Sequence, residues 1–199
     1  MGEVEIRYKP LDRSFYLRRS DEVARDLLGK HLARRIDGRM LVGKIVEVEA
    51  YFGEGDPASH ASRGMTLRNA PMFGPPGYSY IYLNYGMHWL LNVVAQPVGS
   101  AAAVLIRAIE PVEGIGDMLL NRPVPSIYEL GSGPGKLTQA LKIGPELNGV
   151  DMTDPKNGLY IAEGKGIPKI RRSSRVGISA GTEHLLRFFV EGSAFISKK

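Results

Sequence analysis

Apolar and polar positions alternate with period two through the stretch from Met40 to Tyr51, which predicts one long strand. In strict alternation Val46, Val48 and Ala50 share a core face, while Ile45, Glu47, Glu49 and Tyr51 share the other. That second face is either an ordinary solvated surface or the lining of a cleft. Upstream, SDEVARDLLGK (20–30) carries Val23, Ala24, Leu27 and Leu28 at helical spacing, with Ser20 as the expected cap, Asp21 and Glu22 in the first turn and Gly29 as the stop. HLARRI runs into Asp37-Gly38, a strong hairpin signal, and returns as the long strand. Residues 53–77 are rich in glycine and proline and poor in periodic apolar positions, so they read as a long functional loop. YSYIYLNYGMHWLLNVV (78–94) and AAAVLIRAIEP (101–111) read as two further strands. A turn-rich link, a helix beginning near Pro134 and short strands ending in LRFFVEGSAFIS complete the chain.

Strands outnumber helices and several are joined by hairpin-length turns, so the expected class is α+β, built on a curved, largely antiparallel sheet with flanking helices. With no internal repeat and no clear linker, residues 1–199 read as a single domain, of which 1–10 form an N-terminal tail. Composition adds little to this: 43% hydrophobic and 24% charged residues are ordinary for a globular protein. No apolar run reaches the roughly 18–20 residues of a membrane helix, and the N-terminus lacks signal-peptide character. The absence of cysteine removes disulfides and thiolate metal sites and fits an intracellular setting. A formal charge of +5 favours a polyanionic partner such as nucleic acid.

Several residues carry candidate chemistry. Tyr78, Tyr80, Tyr82 and Tyr85 fall within eight residues, a row that suits either core packing or base stacking beside the basic loop of His60, Arg63 and Arg68. Arg107 interrupts an otherwise apolar strand, so burial requires a carboxylate partner, with Glu49 or Glu47 the natural choice; a strand-end arginine reaching solvent is the other reading. GSGPGKL (131–137) lacks the spacing of a nucleotide-hydrolysing phosphate loop, although a glycine-rich helix entry with Lys136 suits a backbone phosphate. His31, His60, His88 and His184 have no metal-ligand spacing, and no serine sits in a G-x-S-x-G elbow. Carboxylate chemistry remains. Glu47 and Glu49, roughly 7 Å apart along a strand, fit a pair dividing acid and base roles across a glycosidic bond, or one catalytic carboxylate with a structural neighbour.

Taken in order, IVEVEAYFG, the His60 loop with RGMTLRNAPMF, YSYIYLNYGMHWLLN, VLIRAIEP, SGPGKL, SRVGIS and LRFFVEGS resemble the alkyladenine (3-methyladenine) DNA glycosylase family over about Leu11 to Ser197. The resemblance implies a monofunctional enzyme that excises alkylated or deaminated purines from double-stranded DNA with water, needs no metal or other cofactor, acts as a monomer and has no membrane partner. It implies Glu49 as general base, with Arg107 and the Val176 backbone carbonyl positioning the water. Tyr51 and Tyr82 would stack on the base, His60 would hydrogen-bond it, Asn92 would disfavour normal guanine, and Tyr85 would enter the duplex. Arg63, Arg68 and Lys136 are the expected backbone contacts. Asn84 and His88 depart from the pattern, standing where apolar or aromatic residues are expected. Two other readings share the same residues: a non-catalytic nucleic-acid-binding module, and a carbohydrate hydrolase using Glu47 with Glu49.

Overall fold

The computed structural model describes residues 7–166 and 168–198. Among these, eight strands form one sheet in which every strand pair is antiparallel, joined by four short α-helices, in agreement with the expected α+β class. β1 (His31–Ile36) and β2 (Arg39–Phe52) make the expected hairpin, with Asp37 at φ 50° and Gly38 at φ 76° in the turn. The path continues through β3 (Ser79–Asn84), β4 (His88–Val94), β5 (Ala102–Glu113) and β6 (Leu159–Ala162) in the spatial order β3-β4-β5-β2-β1-β6. β7 (Ile170–Ser173) pairs with β8 (Arg187–Val190).

β2 is the spine. One edge pairs with β5 along most of its length; the other pairs first with β1 through Arg39–Lys44 and then with β8 through Glu47–Glu49. Between these halves lies an irregularity: Ile45 faces Ile109 and Val48 faces Ile106, but Glu47 faces Ala108, and Val46 has no partner on β5. The bulge changes which face each residue takes. Leu41 and Ile45 lie in the main core, and after the bulge Val48 and Ala50 do so. Ile45 therefore parts from Glu47, Glu49 and Tyr51, a correction to the strict alternation. Gly43 belongs to this packing, because a Cβ there would overlap the Ile109 side chain.

The main core fills the space between the sheet and α2 (Ser20–Leu27), α3 (Ile115–Asn121) and α4 (Pro134–Ala140). Helix α2 begins differently from expectation: Arg19 is the cap, while Ser20 is the first helical residue, fully buried, with a hydroxyl that has no partner. The helix also stops short of Lys30, where Gly29 at φ 85° turns the chain out. Residues 78–94 are a hairpin, not one strand, because Tyr85 and Gly86 both take positive φ and reverse the chain. The first short helix, α1 (Arg13–Tyr16), and α3 were not expected, each being only four to seven residues long.

The long loop 53–77 lies over the sheet at a second cluster in which Ala61 and Met72 pack with Tyr80, Val94 and Ala103. Of the expected 1–10 tail, residues 1–6 lie outside the described residues, while Tyr8 donates a hydrogen bond to Glu113 and Pro10 bridges to Ala162. Among the described residues no helix is long and apolar enough to cross a membrane.

Candidate active site

The carboxylates beyond the bulge are both fully buried. Glu49 Oε1 accepts from the backbone N–H of Val176 at 2.6 Å. Its Oε2 accepts from the Tyr51 hydroxyl at 2.9 Å and from Arg107 Nη1 at 3.2 Å. Glu47 Oε1 accepts from Arg107 Nε at 3.0 Å, Arg187 Nε at 2.8 Å and the Ser197 hydroxyl at 2.8 Å, and its Oε2 accepts from the Ser197 N–H. Arg107 thus reaches both carboxylates and not solvent. Burial alone would lower its guanidinium pKa, but Glu49 and Glu47 outweigh that and raise it. Two guanidinium and two carboxylate groups balance in formal charge, which makes their burial tolerable.

Tyr51 and Arg107 line a cavity of about 300 Å³ together with His60, Tyr82, Tyr85, Asn92 and Val176. Glu49 lies behind this lining. The expected base-pocket residues therefore meet around one cavity. Burial raises the Tyr51 hydroxyl, reinforced by the adjacent Glu49, so it stays a donor. Burial likewise pushes Tyr82 and Tyr80 up to about 12. His60 packs edge-on against Tyr82 at 4.6 Å, and its Nδ1 shares a hydrogen bond with the Tyr80 hydroxyl at 3.0 Å. Burial and then Arg68 lower its pKa, favouring the neutral ring. Asn92 is held by donating to the Tyr80 carbonyl at 3.0 Å, directly across the β3–β4 pair.

The remaining candidates lie at the rim or outside. Tyr85, 83% exposed, projects from the hairpin tip with φ 49°, a conformation uncommon for a bulky residue. Arg68 is exposed, with its guanidinium 5.6 Å from the Tyr82 ring centre and donating to the Leu83 carbonyl. Arg63 lines a separate depression with Phe52 and Gln96. Lys136 sits in the first turn of α4, partly exposed, two residues from the cavity-lining Pro134. Of the two departures, Asn84 lines the cavity, and His88 packs closely against Gly135, where a Cβ would meet the ring at 2.9 Å.

Three supporting residues were missed in the sequence. Arg175 forms a buried two-pronged ion pair with Asp56 at 2.6 and 2.7 Å, and its guanidinium lies 4.6 Å from the Tyr51 ring centre. The pair ties the loop that leads to His60 to the segment that presents Val176. Asn69 is 1% exposed and knots the same loop, accepting from Thr66 N–H and donating to the His60 and Gly64 carbonyls. An aspartate before proline and an asparagine in a glycine-rich stretch read as turn residues, so the adjacency of Arg175 to Val176 in SRVG is the one sequence signal that points to them. Among the described residues no three His, Asp or Glu side chains converge as a metal site. The arrangement offers a carboxylate, restrained by donors and screened from bulk water, beneath an aromatic slot. Such a carboxylate can accept a proton and stabilise positive charge.

Comparison with known proteins converges on one family. Residues 14–194 match the family described as Methylpurine-DNA glycosylase (MPG). A protein of Carboxydothermus hydrogenoformans is 49% identical over 191 residues, covering 95% of this chain and 99% of the relative. One of Koribacter versatilis is 46% identical, covering 96% and 94%, and one of Methanocella arvoryzae is 47% identical, covering 95% and 96%. All three are named "Putative 3-methyladenine DNA glycosylase".

Proposed function

The chain belongs to the methylpurine-DNA glycosylase family, and from that membership we propose that it is a DNA repair hydrolase that turns an alkylated or deaminated purine out of duplex DNA and cleaves its N-glycosidic bond with water. The observation that carries this reading is the placement of Glu49. It is fixed by Arg107, Tyr51 and the Val176 N–H immediately behind a cavity walled by Tyr51 and Tyr82.

In this reading the damaged purine stacks between Tyr51 and Tyr82, with His60 and Asn92 at its edges. Flipping costs a few kcal/mol, less where pairing is already weakened, so selection is shared between duplex and pocket. As the bond between the purine nitrogen and C1′ breaks, its electron pair leaves with the base and positive charge grows on the sugar. The Glu49 carboxylate stabilises that charge. Its Oε1 accepts one hydrogen bond from the protein, leaving an acceptor position for a water. The water oxygen bonds to C1′ and its proton passes to Glu49 and on to solvent; a cationic alkylated purine leaves as the neutral base, a deaminated purine leaves as an anion that takes a proton from solvent, and an abasic site remains. No enzyme amine takes part, so strand cleavage is not expected. Val176 meets Glu49 through its N–H, so in this reading it orients the carboxylate, and its carbonyl remains the family-implied contact to the water.

The test is base release from duplexes containing hypoxanthine and from methylated DNA under single-turnover conditions. Glu49→Gln should lower the rate by at least about 10²-fold while binding to an abasic-site duplex persists. A wild type that releases neither base, or a Glu49→Gln variant as fast as wild type, overturns the proposal.

A further inference from the structure

We infer that Ser197, together with Glu47, forms a latch that sets the position of Arg107 against Glu49. Both are positioning residues in the proposed reaction, not catalytic ones. Ser197 lies beyond the segment 14–194 that matches the family.

The geometry is specific. Arg107 divides its three nitrogens among three acceptors: Nη1 goes to Glu49, Nε to Glu47 and Nη2 to the Ser197 hydroxyl at 3.2 Å. That hydroxyl donates in turn to Glu47 Oε1, so its single proton and an acceptor position are both used. The Ser197 N–H takes the other Glu47 oxygen. The segment after β8 is drawn in a second time by Arg187, which donates to the Lys198 carbonyl as well as to Glu47 and the Ser173 hydroxyl.

A planar guanidinium held at three points has one orientation, and here only one of those points is the proposed catalytic carboxylate. Without the other two, Arg107 keeps its charge but loses the constraint that aims Nη1 at Glu49. Rate enhancement by preorganised groups falls steeply with small misplacement. Alternation puts Glu47 and Glu49 on one face, and the bulge before them turns that face away from the main core that holds Ile45, so that one guanidinium spans both carboxylates.

The inference rests on the glycosylase reading, and its test separates the two. Single-turnover base release is measured for wild type, Ser197→Ala, Ser197→Thr, Arg107→Lys and the double variant Arg107→Lys/Ser197→Ala, with abasic-duplex affinity and Tm measured alongside. Ser197→Ala should slow release about tenfold, as expected for one charge-assisted hydrogen bond, with affinity within twofold of wild type. Ser197→Thr, which keeps the hydroxyl, should recover most of the rate. Because the hydroxyl acts through the guanidinium fork, Ser197→Ala should cost nothing further in the Arg107→Lys background. A Ser197→Ala rate equal to wild type, or an equal loss in both backgrounds, overturns the latch while leaving the glycosylase reading intact. If Ser197→Ala fails to fold, Glu47→Gln takes its place in the same cycle and the same two outcomes decide. An inactive wild type would instead bring down the glycosylase reading itself.

Discussion

Replacing Asp56 with alanine should damage this protein more than any other single change in a turn. The variant leaves Arg175, whose side chain has no solvent exposure, without its carboxylate. Its Nε already lacks an acceptor, and the Ala50 carbonyl is its remaining hydrogen-bond partner. Stranding one member of a buried pair costs about 3–5 kcal/mol, and the Phe52 and Ala58 N–H groups lose their acceptor as well. For a chain of this size that corresponds to a fall in Tm of about 10 °C. Urea unfolding of Asp56→Ala, Arg175→Met and the double variant measures the coupling. The double variant should lose less than the sum of the singles, since it removes the stranded charge. Burial alone would raise the Asp56 pKa, but Arg175 and the two amides outweigh that and lower it. The folded value lies below the unfolded one, so the stabilisation is complete above the ordinary aspartate value of about 3.9 and is lost as pH falls through the folded value. The deficit of Asp56→Ala should accordingly persist at neutral pH and shrink only below about pH 4. Base release should slow too, because Val176 follows Arg175. A Tm within about 2 °C of wild type, or strictly additive losses, would refute the reasoning.

Other outcomes follow from the same geometry. Tyr85→Gly relieves the positive φ at the hairpin tip, so thermal unfolding should show stability unchanged or raised by less than about 1 kcal/mol. Release from duplex should nonetheless fall, while release from a single-stranded lesion is spared. Arg68→Ala should lower the slope of log K against log salt by about 0.9, on damaged and undamaged duplexes alike; an unchanged slope removes Arg68 from the backbone contacts, and Arg63 and Lys136 are tested in the same way. His60 should titrate below the usual histidine value by NMR and move upward in Arg68→Ala, since burial and Arg68 lower it. Its contribution to stability is therefore present above about pH 6.5 and lost as pH falls through the depressed value.

The period-two run of β2, the Asp37-Gly38 turn and the apolar stripe of α2 were legible because each is a local rule written in adjacent residues. The Tyr85-Gly86 reversal was not, because the residues on either side alternate as one strand would and tyrosine is a poor predictor of positive φ. The bulge at Val46 escaped for a related reason. Every residue from Ile45 to Ala50 is fully buried, so the hydrophobic pattern holds no polar-out mark at which a change of face would show. Asp56 and Ser197 have partners far along the chain, Arg175 being 119 residues from Asp56 and Glu47 150 from Ser197, while Asn69 bonds within its own loop with no periodic pattern to mark it. Nothing local distinguishes them from solvated loop residues.

The carbohydrate-hydrolase reading made Glu47 and Glu49 equal members of a pair, and their surroundings argue against that equality. Glu47 accepts four hydrogen bonds from the protein, three on Oε1 and one on Oε2, and two of its three donor residues, Arg187 and Ser197, stand outside the cavity lining. A group acting as general acid must carry a proton toward the substrate, and here Glu47 faces only donors. Glu49 accepts three, and all of its donors, Tyr51, Arg107 and Val176, line the cavity. The difference traces to β8, whose pairing with Glu47–Glu49 is followed by a turn that returns Ser197 to Glu47 alone. Two carboxylates that sequence spacing leaves equivalent are thus separated by a segment about 150 residues away, which anchors one outside the cavity wall while the other is held by the wall itself.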